Sequence, residues 1–286
     1  MKPKVSVTMI TYGHGKYIKE AIEGVLMQVC DFEVELIVAN DKSPDNTEVV
    51  VMDSIKNHPN GHWIKYTRHE DNKGMIPNFM WSLEQCKGKY IALCEGDDYW
   101  IDPLKLQKQV DFMEANQDCS LCFHAAQYVN ENSSEVLKIN QPKAIPHDFK
   151  FGIKDAILGG GGLITTNSMV FLNKFVEELP AWFFTAPVGD IPLMLILASH
   201  GEMGYVDDVM SAYRVAAVGS WSETMNKSGS KRIKHQKDVE QMWIQFDIWT
   251  NKKHHFYILR KLIKNNWNLR KTDIKRLIKR YFITKG

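Results

Sequence analysis

The stretch YIALCEGDDYW, residues 90–100, opens as an apolar strand and closes on three carboxylates, Glu95, Asp97 and Asp98, within four positions. Neighbouring carboxylates repel one another, so the arrangement is unfavourable unless a positive group, most simply a metal ion, sits among them. Acids at the end of a buried strand also say where to look for a site, because ligands on parallel α/β sheets bind beyond the carboxyl ends of the strands.

Outward from this stretch, apolar alternation or short apolar runs predict strands near 4–11, 33–40, 63–68, 89–94 and 119–129. Between them lie segments of helical period at 16–29, 46–57, 77–86 opened by Pro77, and 103–116 opened by Pro103. Strands alternating with helices imply right-handed crossovers and an α/β fold with a mainly parallel sheet. Thr11 and Tyr12 then follow the first strand, Asn40 and Asp41 the second, and the loop HEDNKGM, 69–75, with Asn72 and Gly74, the third. All are expected to border one crevice with the acidic run. The second half is less regular. A glycine run at 159–162 precedes the strand-like LITTNSMVFL, Asp190 heads an apolar helix, and GYVDDVMSAYRV reads as a strand before a basic helical region. The expected division is 1–222 for the main domain and 223–286 for a C-terminal helical appendage.

A chain of 286 residues, 44% hydrophobic and 24% charged, is long enough for a large core and has the composition of an ordinary soluble enzyme. MKPKVSVTMITYG begins as an alternating strand and no apolar run approaches about 18 residues, so neither an export segment nor a membrane span is expected. The odd count of five cysteines points to reduced thiols in a cytosolic compartment, and the CxxC of Cys119 and Cys122 lies in a strand-like segment as core. The 36 basic and 34 acidic residues are unevenly spread: residues 252–286 hold 12 Lys and Arg against the single acid Asp273. A basic tail mixed with Ile, Leu, Trp, Tyr and Phe fits an interfacial helix on an anionic membrane, and equally a helical pair packed on the body with a solvated basic face. The expected location is cytoplasmic, peripheral at the inner face of the membrane. Nucleic acid is not an expected partner, because the body carries an excess of acids.

GHG at 13–15 follows a strand as a dinucleotide fingerprint would, but Ile18 occupies the third glycine position, and no GxxxxGK[ST] occurs. The acidic run suits a hard cation, Mn²⁺ or Mg²⁺, which binds one or two carboxylates together with substrate phosphates and waters. The plainer alternative is an exposed turn capping the helix near Pro103, a role Asp102 could fill alone.

VSVTMITYGHGKYIKEAIEGVLMQ, VELIVANDKSPDNT, NKGMIPNFMWSLEQCKGKYIALCEGDDYW and YRV together resemble the inverting glycosyltransferases of family 2, which have the GT-A, Rossmann-like fold. The resemblance is specific over about residues 4–125 and looser to about 222. It implies transfer of a sugar from a nucleoside diphosphate donor, usually a UDP-sugar, to a hydroxyl of a glycan or lipid-linked acceptor in surface polysaccharide synthesis. It also implies that Thr11 and Tyr12 lie against the nucleoside and that Asp41 accepts the uracil N–H. By the same resemblance Asp98 is expected to meet the metal, and Asp97 and Glu95 to reach the ribose or the metal's waters. Asn40 departs from the family's commoner aspartate, and Ala216 stands where a metal-binding histidine is often found. Inversion needs a base across the sugar from the metal. Asp190 matches the acid that the family places before a helix in its second half, and Glu177, Glu178, Asp207 and Asp208 are the other acids considered. Trp100 and Trp182 are candidate sugar platforms, and Arg214 a counter-charge to the diphosphate or a structural ion pair. The alternative function is a non-catalytic nucleotide-sugar-binding partner or scaffold.

Overall fold

The computed structural model describes residues 2–215, 217 and 229–264. Its sheet begins with four parallel strands, β1 (Val5–Thr11), β2 (Val34–Asn40), β3 (Ile64–Arg68) and β4 (Tyr90–Leu93). It continues through β5 (Tyr99–Trp100), β6 (Cys119–Val129), β7 (Val136–Asn140), β8 (Lys150–Phe151), β9 (Val170–Leu172) and β10 (Glu202–Arg214). The spatial order is β3-β2-β1-β4-β9-β6-β10-β5, with β7 beside β6 and β8 beside β10. The parallel half carries the expected crossovers through α1 (Ile18–Leu26), α2 (Thr47–Asn57) and α3 (Met75–Glu84). The other half is mixed: β9 runs antiparallel to both β4 and β6, and β10 runs parallel to β6.

Helices cover both faces. Ile18, Ala21, Ile22, Val25 and Leu26 of α1 recur at helical spacing and join Leu106, Val110 and Met113 of α4 (Lys105–Ala115) on one face. Each such aliphatic side chain removed from water contributes about 1.5–3 kcal/mol. On the other face α3, α5 (Ile153–Gly159) and α6 (Asp190–His200) share a core with Met242, Trp243 and Phe246 of α7 (Gly229–Trp249) and with Ile258 of a last helix, residues 255–264. The appendage is thus built onto the same core over its described length. The expected boundary at 222/223, the position of Ala216 and the tail beyond 264 lie outside the described residues.

Two expected boundaries move for identifiable reasons. Helix α3 starts at Met75, because Gly74 turns the chain at φ +86° and its carbonyl accepts the Asn78 N–H. Pro77 falls in the first turn, where a missing N–H costs nothing. The strand expected across LITTNSMVFL shrinks to Val170–Leu172, since Thr166–Ser168 coil into a short 3₁₀ turn.

Candidate active site

Because β1, β2, β3 and β4 are parallel, their carboxyl ends meet along one edge. The Asp41 N–H donates to the Thr11 carbonyl and the His69 N–H to the Asn40 carbonyl, which ties three of these ends together. Asp41 is buried, and its carboxylate accepts the backbone N–H groups of Lys73 (2.7 Å) and Gly74 (2.9 Å), while Asn72 Nδ2 donates to the Asp41 carbonyl at 2.9 Å. Asp41, Asn72 and Gly74 therefore form one unit in which the carboxylate shapes the loop. Asn40 is also engaged, donating to the Tyr66 hydroxyl and accepting the Ser43 N–H. Tyr12 stands half-exposed at the rim.

After β4 the chain turns tightly, with the Asp98 N–H donating to the Glu95 carbonyl. Gly96 lies so close to β1 that a Cβ there would come within 2.8 Å of Thr11 Oγ1 and 3.0 Å of His14 Nδ1. Both of those buried atoms lack a hydrogen-bond partner. The three acids then diverge. Asp98 is buried, with Oδ1 accepting the Arg214 N–H at 2.8 Å and Oδ2 without a partner. The Asp97 carboxylate is partly open, with Oδ2 4.0 Å from His14 Nε2. Burial first, then the charges of Asp97 and Asp190, push the Glu95 carboxyl up to about 8, against a hydrogen bond with Thr166. Burial, then Asp97 and Glu95, raises Asp98 well above the carboxylate range, against the Arg214 N–H and charge.

Asp190 is the first residue of α6. It is preceded by Gly189 at the cap position, and no side chain caps the helix there. It lines a shallow pocket with Gly161, Ile164, Met169, Ile191 and Met194. Burial raises its carboxyl, while backbone N–H groups and the nearby charge of His235 on α7 act in the opposite sense. Three of the four competing acids are occupied elsewhere, Asp207 by Tyr205 and Gln141, Asp208 by Lys108, and Glu178 by His200, while Glu177 is exposed.

Arg214 is a buried hub. It donates to the Asp97 carbonyl at 2.9 Å, to Glu20 at 2.7 Å, and to the Glu131 carbonyl and Ser133, and it lies between the rings of Tyr17 and Tyr99. The tryptophans are not the aromatic surface near the acids. Trp100 is core, with its N–H on the Asn167 carbonyl, and Trp182 packs against Phe246 and Trp249. Tyr128 and Tyr213 occupy that place instead, their rings 4.9 Å apart and tilted at 47° to each other. Burial and the charge of Asp98 raise both phenols, with Asp190 also acting on Tyr128. Neither they nor His14 stood out in the sequence. Among the described residues, no three acidic, histidine or cysteine side chains converge as a ready-made metal cage.

A mixed sheet with acids at the carboxyl edge of its parallel half, opposed by a helix-borne aspartate, defines the GT-A class. The family model described as glycosyl transferase family 2 matches residues 6–179, and the chain belongs to that family. An uncharacterized protein of Mycobacterium tuberculosis is 33% identical over 218 residues, 76% of this chain and 60% of that protein, so the alignment spans well under two thirds of the relative's length. Among solved structures, S. aureus TarS in complex with UDP-GlcNAc superposes with a TM-score of 0.60 at 16% identity, covering 84% of this chain and 66% of that one. The mannosyltransferase PcManGT from Pyrobaculum calidifontis, in complex with GDP-Man and Mn²⁺, gives the same score and identity over 86% and 64%. At such identities the likeness is one of fold.

Proposed function

We propose that the protein is an inverting glycosyltransferase that moves a sugar from a UDP-sugar to a hydroxyl of a glycan or lipid-linked acceptor in surface polysaccharide synthesis. The observation that carries this reading is Asp98, buried beyond the end of β4 with Oδ1 on the Arg214 N–H and Oδ2 left without a partner, in a chain of glycosyl transferase family 2. The Asp41 carboxylate, already shaped by two backbone donors, retains lone pairs for the uracil N3–H, with Thr11, Tyr12, Asn72 and Gly74 forming the rest of the nucleoside side. Asp97 reaches the ribose or the metal.

The donor set fits a divalent cation. Asp98 keeps one unpartnered buried oxygen, Asp97 opens beside it, and Glu95 adds to a concentration of negative charge that a cation relieves. Asp98 would hold Mn²⁺ or Mg²⁺ together with the donor's diphosphate, with Asp97 and Glu95 acting directly or through the ion's waters. A bound ion would stabilise the diphosphate as the glycosidic oxygen takes up the bonding electrons. Asp190 removes the proton of the acceptor hydroxyl as that oxygen bonds to the anomeric carbon from the opposite face and the bond to the diphosphate breaks. Burial makes Asp190 a stronger base than a solvated aspartate, and the paired rings of Tyr128 and Tyr213 give the sugar an aromatic wall.

The test combines UDP release from a panel of UDP-sugars and GDP-mannose with calorimetric titration of UDP in EDTA and in Mn²⁺. Asp190→Asn should lower turnover by about 10²–10⁴ while UDP still binds. Full activity in that variant would remove Asp190 from the mechanism, equal UDP affinity with and without Mn²⁺ would remove the metal, and UDP binding without any turnover in the parent would favour a binding protein.

A further inference from the structure

We infer that the outward face of the last described helix, residues 255–264, docks on an anionic lipid surface. The helix is firmly seated. Lys252 N–H donates to the Asp247 carbonyl through two residues at positive φ, Asn251 and Lys252, and His255 Nδ1 lies 2.6 Å from Asp247 Oδ2. Ile258 is 2% exposed in the core, and Lys261 Nζ donates to the carbonyls of Leu158 and Gly159 at 3.1 Å each. The inward face is therefore fully used.

Among the described residues the outward face has no such complement. Phe256, Leu259 and Ile263 are 70%, 46% and 60% exposed, and Arg260 and Lys264 stand exposed among them. The spacings of three, four and seven place all five on one side of a helix. Large apolar side chains set among long cations form the pattern of a helix lying in a membrane interface, where the apolar tips enter the acyl boundary and the amines reach the headgroups. Charge decides against a second copy of the chain: residues 252–264 contain five Lys and Arg and no acid, so pairing two such faces would bring like charges together. An anionic bilayer complements them, each cation near the surface adding to the attraction.

The same helix reaches the site. Lys261 holds the end of α5 at the start of the glycine run, and Gly161 of that run shares the Asp190 pocket. Docking here would hold the protein against the membrane in which a lipid-linked acceptor is anchored. That last step rests on the function proposed above, whereas the docking itself does not.

Flotation of the full chain with vesicles of phosphatidylcholine alone, or in equal parts with phosphatidylglycerol, tests the surface without any donor. The parent should float only with the anionic vesicles and should lose binding as salt rises. Arg260→Ser with Lys264→Ser should weaken the association roughly thirtyfold, and Phe256→Ser with Ile263→Ser should abolish it at physiological salt. UDP affinity, measured on each variant, should equal the parent's and certifies the fold. Absence of parent binding to anionic vesicles, or unchanged binding in both variants, would overturn the proposal. So would a dimer, seen by light scattering, that Phe256→Ser with Ile263→Ser dissolves while vesicle binding is absent. Failure of the parent to bind UDP would count against the donor reading and leave the vesicle result standing.

Discussion

Lys105 makes a sharp test of the energetics beneath the site. Its side chain is fully buried, with Nζ unpartnered 3.7 Å from the centroid of the Trp100 ring, on the helix that follows the acidic turn. Burial lowers its amine from 10.5 to about 7, against the raising effect of Cys94, Cys122 and Cys30. At roughly 1.4 kcal/mol per pH unit, that difference sets a ceiling of about 5 kcal/mol on the cost of the buried charge. Contact with the indole face offsets up to ~2 kcal/mol of it. Lys105→Met keeps the length and removes the charge, so the variant should be about 3 kcal/mol more stable at pH 6. Between pH 7 and 10.5 the unfolded chain binds more protons at this residue than the folded one, so the parent's stability rises with pH through this window. From pH 6 to pH 9 the parent should gain roughly 2.5 kcal/mol relative to the variant. Urea denaturation at the two pH values measures both quantities. A variant less stable than the parent at pH 6, with parallel pH profiles, would refute the reasoning and mean that the amine has a strong partner.

Asp41→Ala should weaken UDP binding by about 1.5–3 kcal/mol in calorimetry, and because the carboxylate also holds Lys73 and Gly74, amide exchange at those two residues should quicken. UDP affinity equal to the parent's would place the nucleoside elsewhere. Arg214→Ala should destabilise the fold by about 3–5 kcal/mol, since it strands the Asp97 and Glu131 carbonyls and empties the space between Tyr17 and Tyr99. A shift in thermal unfolding of only a degree or two would show that the hub is dispensable. Gly96→Ala forces the acidic turn off β1, where Thr11 stands within 3 Å of the new methyl, and should cost about 1–3 kcal/mol together with most of the UDP affinity. Unchanged melting and binding would mean that the turn yields freely.

The parallel half was readable because its strands are short apolar runs with polar residues at their carboxyl ends. The strand, the acids and the crevice could therefore all be located from Tyr90–Trp100 outward. Asp190 could be found because an acid at the head of an apolar helix stands out from its neighbours. Tyr128 and Tyr213 could not. They meet only because β6 and β10 pair in parallel with those two residues in register, and local sequence does not specify that pairing. His14 was hidden inside a false dinucleotide pattern, and its relevance depends on the close approach of Gly96 to β1. Lys105 carries no signal of its own in the sequence, since a lysine in a helix is ordinarily exposed. It is buried because β5 and Trp100 fold back over it, a contact with no local signature.

The turn carrying Asp97 and Asp98 is completed by Arg214, whose backbone N–H comes from 116 positions further along the chain. β5, immediately after the turn, likewise finds its antiparallel partner only at Ser211 and Ala212 of β10. During synthesis β1 through β4 can pair as soon as they emerge, but pairing between such distant segments is slow and must await its second member. A nascent chain that ends before β10 would thus carry a formed nucleoside edge beside an acidic turn that still lacks the Arg214 N–H and the partner of β5. The order of folding is set by the order in which the two sides of that turn leave the ribosome.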